Sequence, residues 1–179
     1  MKNIKGYTLV EIAIVMLIIS IMAIVVKGTY DGTVEKSKWS EAYTVIGKII
    51  DAQKEFHVLN DRFAKDFKEL NLNIGGDKEK NGIGIVTQYF KYKTASDDSD
   101  KNICKISVAR VFKKKNTEAS AEVSFNLQYL NKDNSDTGQK GNTFYIPKEK
   151  INITIPANFT SQPAIREANK LAEFFTTKS

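Results

Sequence analysis

The chain has 179 residues, 41% of them apolar by type and 27% charged, with 27 Lys and Arg against 21 Asp and Glu for a formal charge of +6. That length suits one domain plus a long helix rather than two domains, and so modest a charge weakens any case for obligate nucleic-acid binding from charge alone. One cysteine, Cys104, excludes an intramolecular disulfide, and one histidine, His57, excludes a His-rich metal site.

The N-terminus reads Lys5-Gly6-Tyr7-Thr8-Leu9-Val10-Glu11 and passes directly into an unbroken apolar run, Ile12 to Val26. From Tyr7 to Val26 there are about the twenty residues that a helix needs to cross a hydrocarbon core. A carboxylate inside such a segment costs about 2.5–3.5 kcal/mol on insertion scales, so Glu11 is a functional candidate whose partner must be named. Gly6 lets the backbone extend into a protease site, and Thr8 is placed to cap the helix. An ordinary signal peptide fits poorly: no small-x-small cleavage site follows Val26, and the acid inside the apolar segment is wrong for it. Lys2 and Lys5 hold the N-terminus in the cytoplasm and send the rest outside.

These residues resemble the class III signal of type IV prepilins and of type II secretion pseudopilins. The resemblance is carried by leader length, Gly6, Thr8-Leu9, Glu11 and the apolar run, and spans Lys5 to Val26. It implies cleavage between Gly6 and Tyr7 by a prepilin peptidase, N-methylation of Tyr7 (Tyr replacing the usual Phe) and subunit assembly through Glu11. Four residues after Tyr7, Glu11 reaches that residue's new ammonium on its own helix or on a neighbour. The neighbour pairing would fix an axial offset between subunits. Removal of residues 1–6 takes Lys2 and Lys5 and leaves +4.

The helix is expected to continue past the membrane. Trp39, Ala42, Tyr43, Ile46, Ile49, Ile50 and Phe56 recur at three- to four-residue spacing and mark a buried face. Gly28 and Gly32 lower helix propensity by about 1 kcal/mol each and make the segment between them a candidate for softening on assembly. Tyr7 to Leu59 would form a rod about 80 Å long. Phe63 to Leu70 reads as a loop with a turn whose Phe residues and Leu70 pin it to the helix. Strands are expected at Ile85–Thr94, Ile103–Phe112, Ala119–Tyr129, Phe144–Ile146 and Ile151–Ile155. In the second, neither face is cleanly polar; in the third, Val123, Phe125, Leu127 and Tyr129 share an apolar face. After Pro163, Ile165, Ala168, Leu171, Ala172 and Phe175 form one helical stripe, with Ser161 or Thr160 as cap. The expected fold is α+β with a short C-terminal helix, and the resemblance implies that the long N-terminal helix is laid by its distal half on an antiparallel sheet. Its parts are a leader (1–6), a transmembrane assembly helix (7–26), an amphipathic continuation (27–60) and a β-rich head (61–179).

Other segments read blandly. Asp97-Asp98-Ser99-Asp100 and Asp133–Gly138 lack the spacing of a calcium loop, and Lys113-Lys114-Lys115 reads as a solvated turn. Tyr89-Phe90-Lys91-Tyr92-Lys93 mixes rings and cations as a single-stranded DNA surface would, but an ordinary half-buried or edge strand explains it better. His57 is expected on the helix surface, and Cys104 as a small buried residue. Asn152-Ile153-Thr154 and Asn158-Phe159-Thr160 fit a glycosylation triplet common by chance. No catalytic constellation, cofactor loop or metal spacing is found, which argues against an enzyme.

The sequence thus predicts a structural filament subunit in the cytoplasmic membrane, single-pass with its N-terminus inside, later extracted into an extracytoplasmic or cell-surface filament. Its expected partners are its own copies or other pilin-like subunits, the prepilin peptidase and methylase, a membrane assembly platform and membrane lipid. A type IV pilus subunit and a type II secretion pseudopilin both fit. The missing disulfide, which many type IV pilins use to close a C-terminal loop, leans toward a pseudopilin or minor pilin. A DNA-binding subunit of an uptake pilus is the further alternative.

Overall fold

A computed structural model of the chain describes residues 7–78, 84–96, 100–111, 120–130, 143–156 and 161–177. Gly6 and the leader, Asp97–Ser99, Lys113–Lys115, Asp133–Gly138 and Asn158–Thr160 lie outside the described residues. The element order is α1 (Leu9–Asn60), β1 (Asp77–Lys78), β2 (Gly84–Val86), β3 (Phe90–Ser96), β4 (Ile103–Val111), β5 (Ser120–Leu130), β6 (Thr143–Tyr145), a short 3-10 turn (Lys148–Lys150), β7 (Asn152–Thr154) and α2 (Gln162–Thr177). The fold is α+β, with the long helix, antiparallel sheet and short C-terminal helix expected.

Helix α1 runs 52 residues, about 78 Å. It is continuous through Gly28 and Gly32. There the hydroxyls of Thr29 and Thr33 donate back to the carbonyls of Val26 and Thr29 at 2.9 and 3.0 Å. It stops at Asp61, whose backbone turns left-handed (φ 53°) and whose N–H closes on the His57 carbonyl at 2.8 Å.

The sheet is antiparallel throughout and six positions wide, β1-β2-β3-β4-β5, with β6 and β7 sharing the far edge of β5. β6 pairs with Gln128–Leu130 and β7 with Glu122–Ser124. The strand expected over Ile85–Thr94 is two strands, because Thr87 folds onto Phe90: its N–H donates to the Phe90 carbonyl, and the Phe90 N–H donates to its hydroxyl. The sequence reading also lacks β1. Its place beyond Gly75 and Gly76 depends on Gly76 at φ +107°, where a Cβ would come within 2.7 Å of the Val86 carbonyl oxygen.

The core lies between the distal half of α1 and one face of the sheet. Trp39, Ala42, Ile46 and Ile49 from α1 are fully buried against Phe90, Tyr92, Ile106, Val108, Val123 and Phe125. Trp39 meets Phe90 edge-on, ring centres 5.0 Å apart. The mixed faces of β4 resolve here. Cys104, Ile106, Val108 and Arg110 face inward, all buried, and the small Ser107 and Ala109 occupy the outer face. Phe63, Phe67 and Leu70 pin the post-helix loop as expected. Gln53 completes that join: its amide donates to the Ala64 carbonyl and the Thr94 hydroxyl and accepts from the Ala64 N–H.

Helix α2 packs beside α1 over β5. Phe175 stacks on Phe125 with ring centres 4.5 Å apart, and Phe174 meets Tyr43 edge-on at 5.3 Å. Near the other end, Arg166 lies over Gly32, its Nη2 3.4 Å from where a Cβ would stand. The two contacts advance together along both helices, so α2 runs parallel to α1.

His57 corrects the expectation of a surface residue. It is 2% exposed, packed among Phe63, Tyr129 and Phe144, and its Nε2 has no hydrogen-bond partner among the described residues. Burial lowers its pKa below the ordinary imidazole value, opposed in smaller part by Asn102 and Asp61. The unfolded chain therefore binds a proton that the folded chain refuses. Stability is complete above about pH 6.5 and falls as the pH drops through that value toward the lowered folded pKa. Replacing His57 by Phe should flatten this acid slope, which urea midpoints of the detergent-solubilised chain at pH 7.5 and pH 5.5 (about a full ordinary titration apart) would show.

Candidate assembly site

The candidate site is the head of α1. Thr8 is its N-cap, in extended conformation, and Glu11 is its third residue. The two form a reciprocal capping box. The Glu11 N–H donates to the Thr8 hydroxyl at 3.2 Å, and the Thr8 N–H donates to Glu11 Oε2 at 3.4 Å. Two of the four N–H groups that every helix start leaves unpaired are thereby satisfied. The sequence reading foresaw Thr8 as a cap and Glu11 as a partner for the Tyr7 nitrogen. The structure turns the Glu11 carboxylate toward the helix start, one residue from Tyr7. Its hydrogen bonds here are to its own chain.

Around it the surface is apolar on every side. Tyr7, Leu9 and Val10 are 65–86% exposed, and the large apolar residues from Ile12 to Val26 are 47% exposed or more. Buried in one protein, such a helix would hide one stripe; this one hides none, which is consistent with membrane anchoring. The helix is long and apolar enough to cross a membrane, and the most apolar window is wholly unburied. Ser20 sits inside this segment with its hydroxyl returned to the Met16 carbonyl at 2.7 Å, which removes the cost of an unpaired polar group there.

Elsewhere the tempting residues separate. Phe90 and Tyr92 are fully buried on the inner face, whereas Lys91 and Lys93 lie on the opposite side of β3. Tyr89 lies under Lys38 and Arg110, at 5.2 and 5.3 Å. The rings and cations of this segment thus do not make one stacking surface. Asp100 closes a turn through Asn102 and Ile103. Cys104 is fully buried and its thiol sits 3.3 Å from the Thr94 hydroxyl; burial pushes its pKa up to about 11, the reverse of a reactive thiolate. Among the described residues, no group of three or more His, Cys, Asp or Glu could hold a metal.

The sequence reading missed a buried ion pair, Glu35 with Arg110. Arg110 Nε donates to Glu35 Oε1 at 2.7 Å and Nη2 to Oε2 at 3.3 Å. The Trp39 indole N–H also reaches Glu35 Oε1 at 3.2 Å. The available signal was the position of Glu35 four residues before Trp39, on the apolar stripe.

No curated protein and no solved structure matches the chain. Over residues 1–26 it matches the model of the prokaryotic N-terminal methylation motif, and so it carries the type IV pilin/pseudopilin signal.

Proposed function

We propose that the chain is a structural subunit of a type IV pilus-like filament. The observation that carries this reading is the apolar helix start exposed on all sides, headed by Tyr7, Thr8 and Glu11 within the matched motif. In this reading the precursor sits single-pass in the cytoplasmic membrane with its leader inside, is cut between Gly6 and Tyr7 by the prepilin peptidase, and is methylated on Tyr7. The helix then leaves lipid for a core of like helices, with the sheet domain outward. Each added subunit contacts the last head to tail, giving an open helical array. The Glu11 carboxylate exchanges its own cap for the ammonium of a neighbouring Tyr7, which supplies register. Cys104 as sole cysteine favours a second reading within the same class, a pseudopilin of a type II secretion system.

The mature N-terminus tests the class. Mass spectrometry of the chain from cells with the prepilin peptidase should show N-methylated Tyr7 as first residue; cells without it should retain Met1–Gly6. A cut after Val26 in either strain would remove the assembly helix and with it this function. Deletion would then separate the two readings: loss of a surface filament marks a pilus, and loss of folded-protein export marks a pseudopilus.

A further inference from the structure

Two cations and a tyrosine flank the end of the apolar segment. Leu9 to Val26 is 18 residues, about 27 Å of helix, close to the thickness of a hydrocarbon core. Lys27 is the first charge beyond it and is exposed; Tyr30, one turn on, is 65% exposed. Arg166 reaches the same zone from α2. Its guanidinium rests over Gly32, about 7.5 Å along the axis from Lys27, with 62% of its side chain open to solvent. The headgroup layer of a bilayer is about 5–8 Å deep on each side, so Lys27 stands at its inner limit and Arg166 at its outer one.

The arrangement around the helix is the second observation. At about 100° per residue, Lys27 and Tyr30 point away from the Gly32 face by some 140–160°, so Arg166 and Lys27 flank α1 from opposite sides. A protein partner covers one side of a helix; a bilayer surface meets all of it at one height. Tyr with Lys or Arg is also the pairing suited to a membrane–water boundary. Of the acids nearby, Glu35 is turned inward to Arg110. Glu167 is buried beside Arg166, 3.9 Å from its Nε, and is bonded more closely by Lys170 at 2.7 Å. Asp31 remains. Lys36 is exposed a turn above Gly32.

We propose that Lys27, Tyr30 and Arg166 form a collar that seats the sheet domain on anionic phospholipid headgroups while the subunit is held in the bilayer. It rests on the reading of α1 as a membrane span. Because α2 carries Arg166, the collar fixes the height and tilt of the domain as well as the depth of the helix. Extraction into a filament must release it.

The test uses the full chain in vesicles. A fluorophore on Gln162→Cys, at the exposed start of α2, reports the distance to a headgroup-nitroxide lipid; fully buried Cys104 does not compete for the label. A second label on Ser20→Cys reports an acyl-chain nitroxide and so tests the span itself. Expected are quenching at Ser20 in all vesicles, and quenching at Gln162 that is strong with equal parts phosphatidylcholine and phosphatidylglycerol and weak in phosphatidylcholine alone. Lys27→Gln or Arg166→Gln should each reduce the seated-to-free ratio about fivefold. Quenching at Ser20 with Gln162 indifferent to lipid charge would overturn the collar and leave the span. No quenching at Ser20 would remove the span and the collar together. Shielding of the Gln162 label from iodide in neutral detergent that grows with protein concentration would assign the surface to a second copy, and so also overturn the collar.

Discussion

Replacing Glu11 by Ala is expected to empty cells of filament while the subunit stays in the membrane fraction. The two effects have opposite signs by construction. Removing a carboxylate from the edge of an apolar segment relieves part of the insertion cost, which for one at the centre would be about 2.5–3.5 kcal/mol, so the membrane form gains. The filament loses the group proposed to pair with a neighbour's ammonium. Glu11→Gln separates the two duties of this side chain. Its amide oxygen still accepts from the Thr8 N–H, so the capping box survives, but the charge is gone. If filaments of the Glu11→Gln variant sheared from cells match the wild type in amount, the charge has no part in assembly and the cap alone matters. If Glu11→Gln fails as Glu11→Ala does, the carboxylate is needed as an ion. Thr8→Ala provides the reciprocal control, expected to cost the helix start about 1 kcal/mol and fray it without touching the charge.

The largest expected effect on stability belongs to Glu35→Ala. Arg110 is 3% exposed and Glu35 6%. The guanidinium donates to both Glu35 oxygens and to the carbonyls of Tyr89 and Val111, and packs on the Tyr89 and Phe90 rings. Taking away the carboxylate breaks a buried ion pair from one side, which costs about 3–5 kcal/mol. Replacing both members by Met should recover most of that loss, because two buried apolar chains of similar size carry no desolvation penalty. Denaturant unfolding of the detergent-solubilised chain, followed by fluorescence, would measure this. Trp39 is the only tryptophan and hydrogen-bonds to Glu35, so it reports the site directly. A double Met variant no more stable than Glu35→Ala would mean that the pair contributes through geometry that hydrophobic packing cannot replace.

The pair also shows where sequence reading stops. The apolar half of α1 was legible because composition alone decides it. The distal half was legible because Trp39, Ala42, Ile46 and Ile49 repeat at helical spacing. Polar residues on that same stripe were harder. Glu35, Gln53 and His57 all sit where an apolar residue would, each four residues from Trp39, Ile49 or Gln53. Each is buried, and each meets a partner far along the chain: Arg110 for Glu35, Thr94 for Gln53, Tyr129 and Phe144 for His57. Periodicity marks the position but cannot supply the partner, because that depends on which strand the sheet brings across. The ambiguous faces of the Ile103–Phe112 strand had the same origin, with Arg110 pointing inward. The Thr87 turn was hidden because Ile85 to Thr94 has the composition of a strand and no Gly or Pro to break it. The place of α2 was not legible, since its stripe announces that it packs but not on what. At the candidate site, the capping box was half visible: Thr8 and Glu11 are spaced for it, yet Glu11 drew attention as a charge in lipid rather than as a cap.

One consequence follows from the continuity of α1. In lipid, Leu9 to Val26 presents similar apolar surface all round, so nothing there sets its rotation about its own axis. The rotation is set at Trp39 to Ile50, where one stripe is locked to the sheet. An unbroken helix transmits that angle like a shaft. The direction in which Glu11 points, and with it the neighbour contact proposed for it, is therefore decided some 30 residues away, by the core of the sheet domain. One residue inserted between Val26 and Trp39 would turn Glu11 about 100° relative to the sheet and move it about 1.5 Å; seven would bring it back to within about 20° of its original bearing, on a longer shaft.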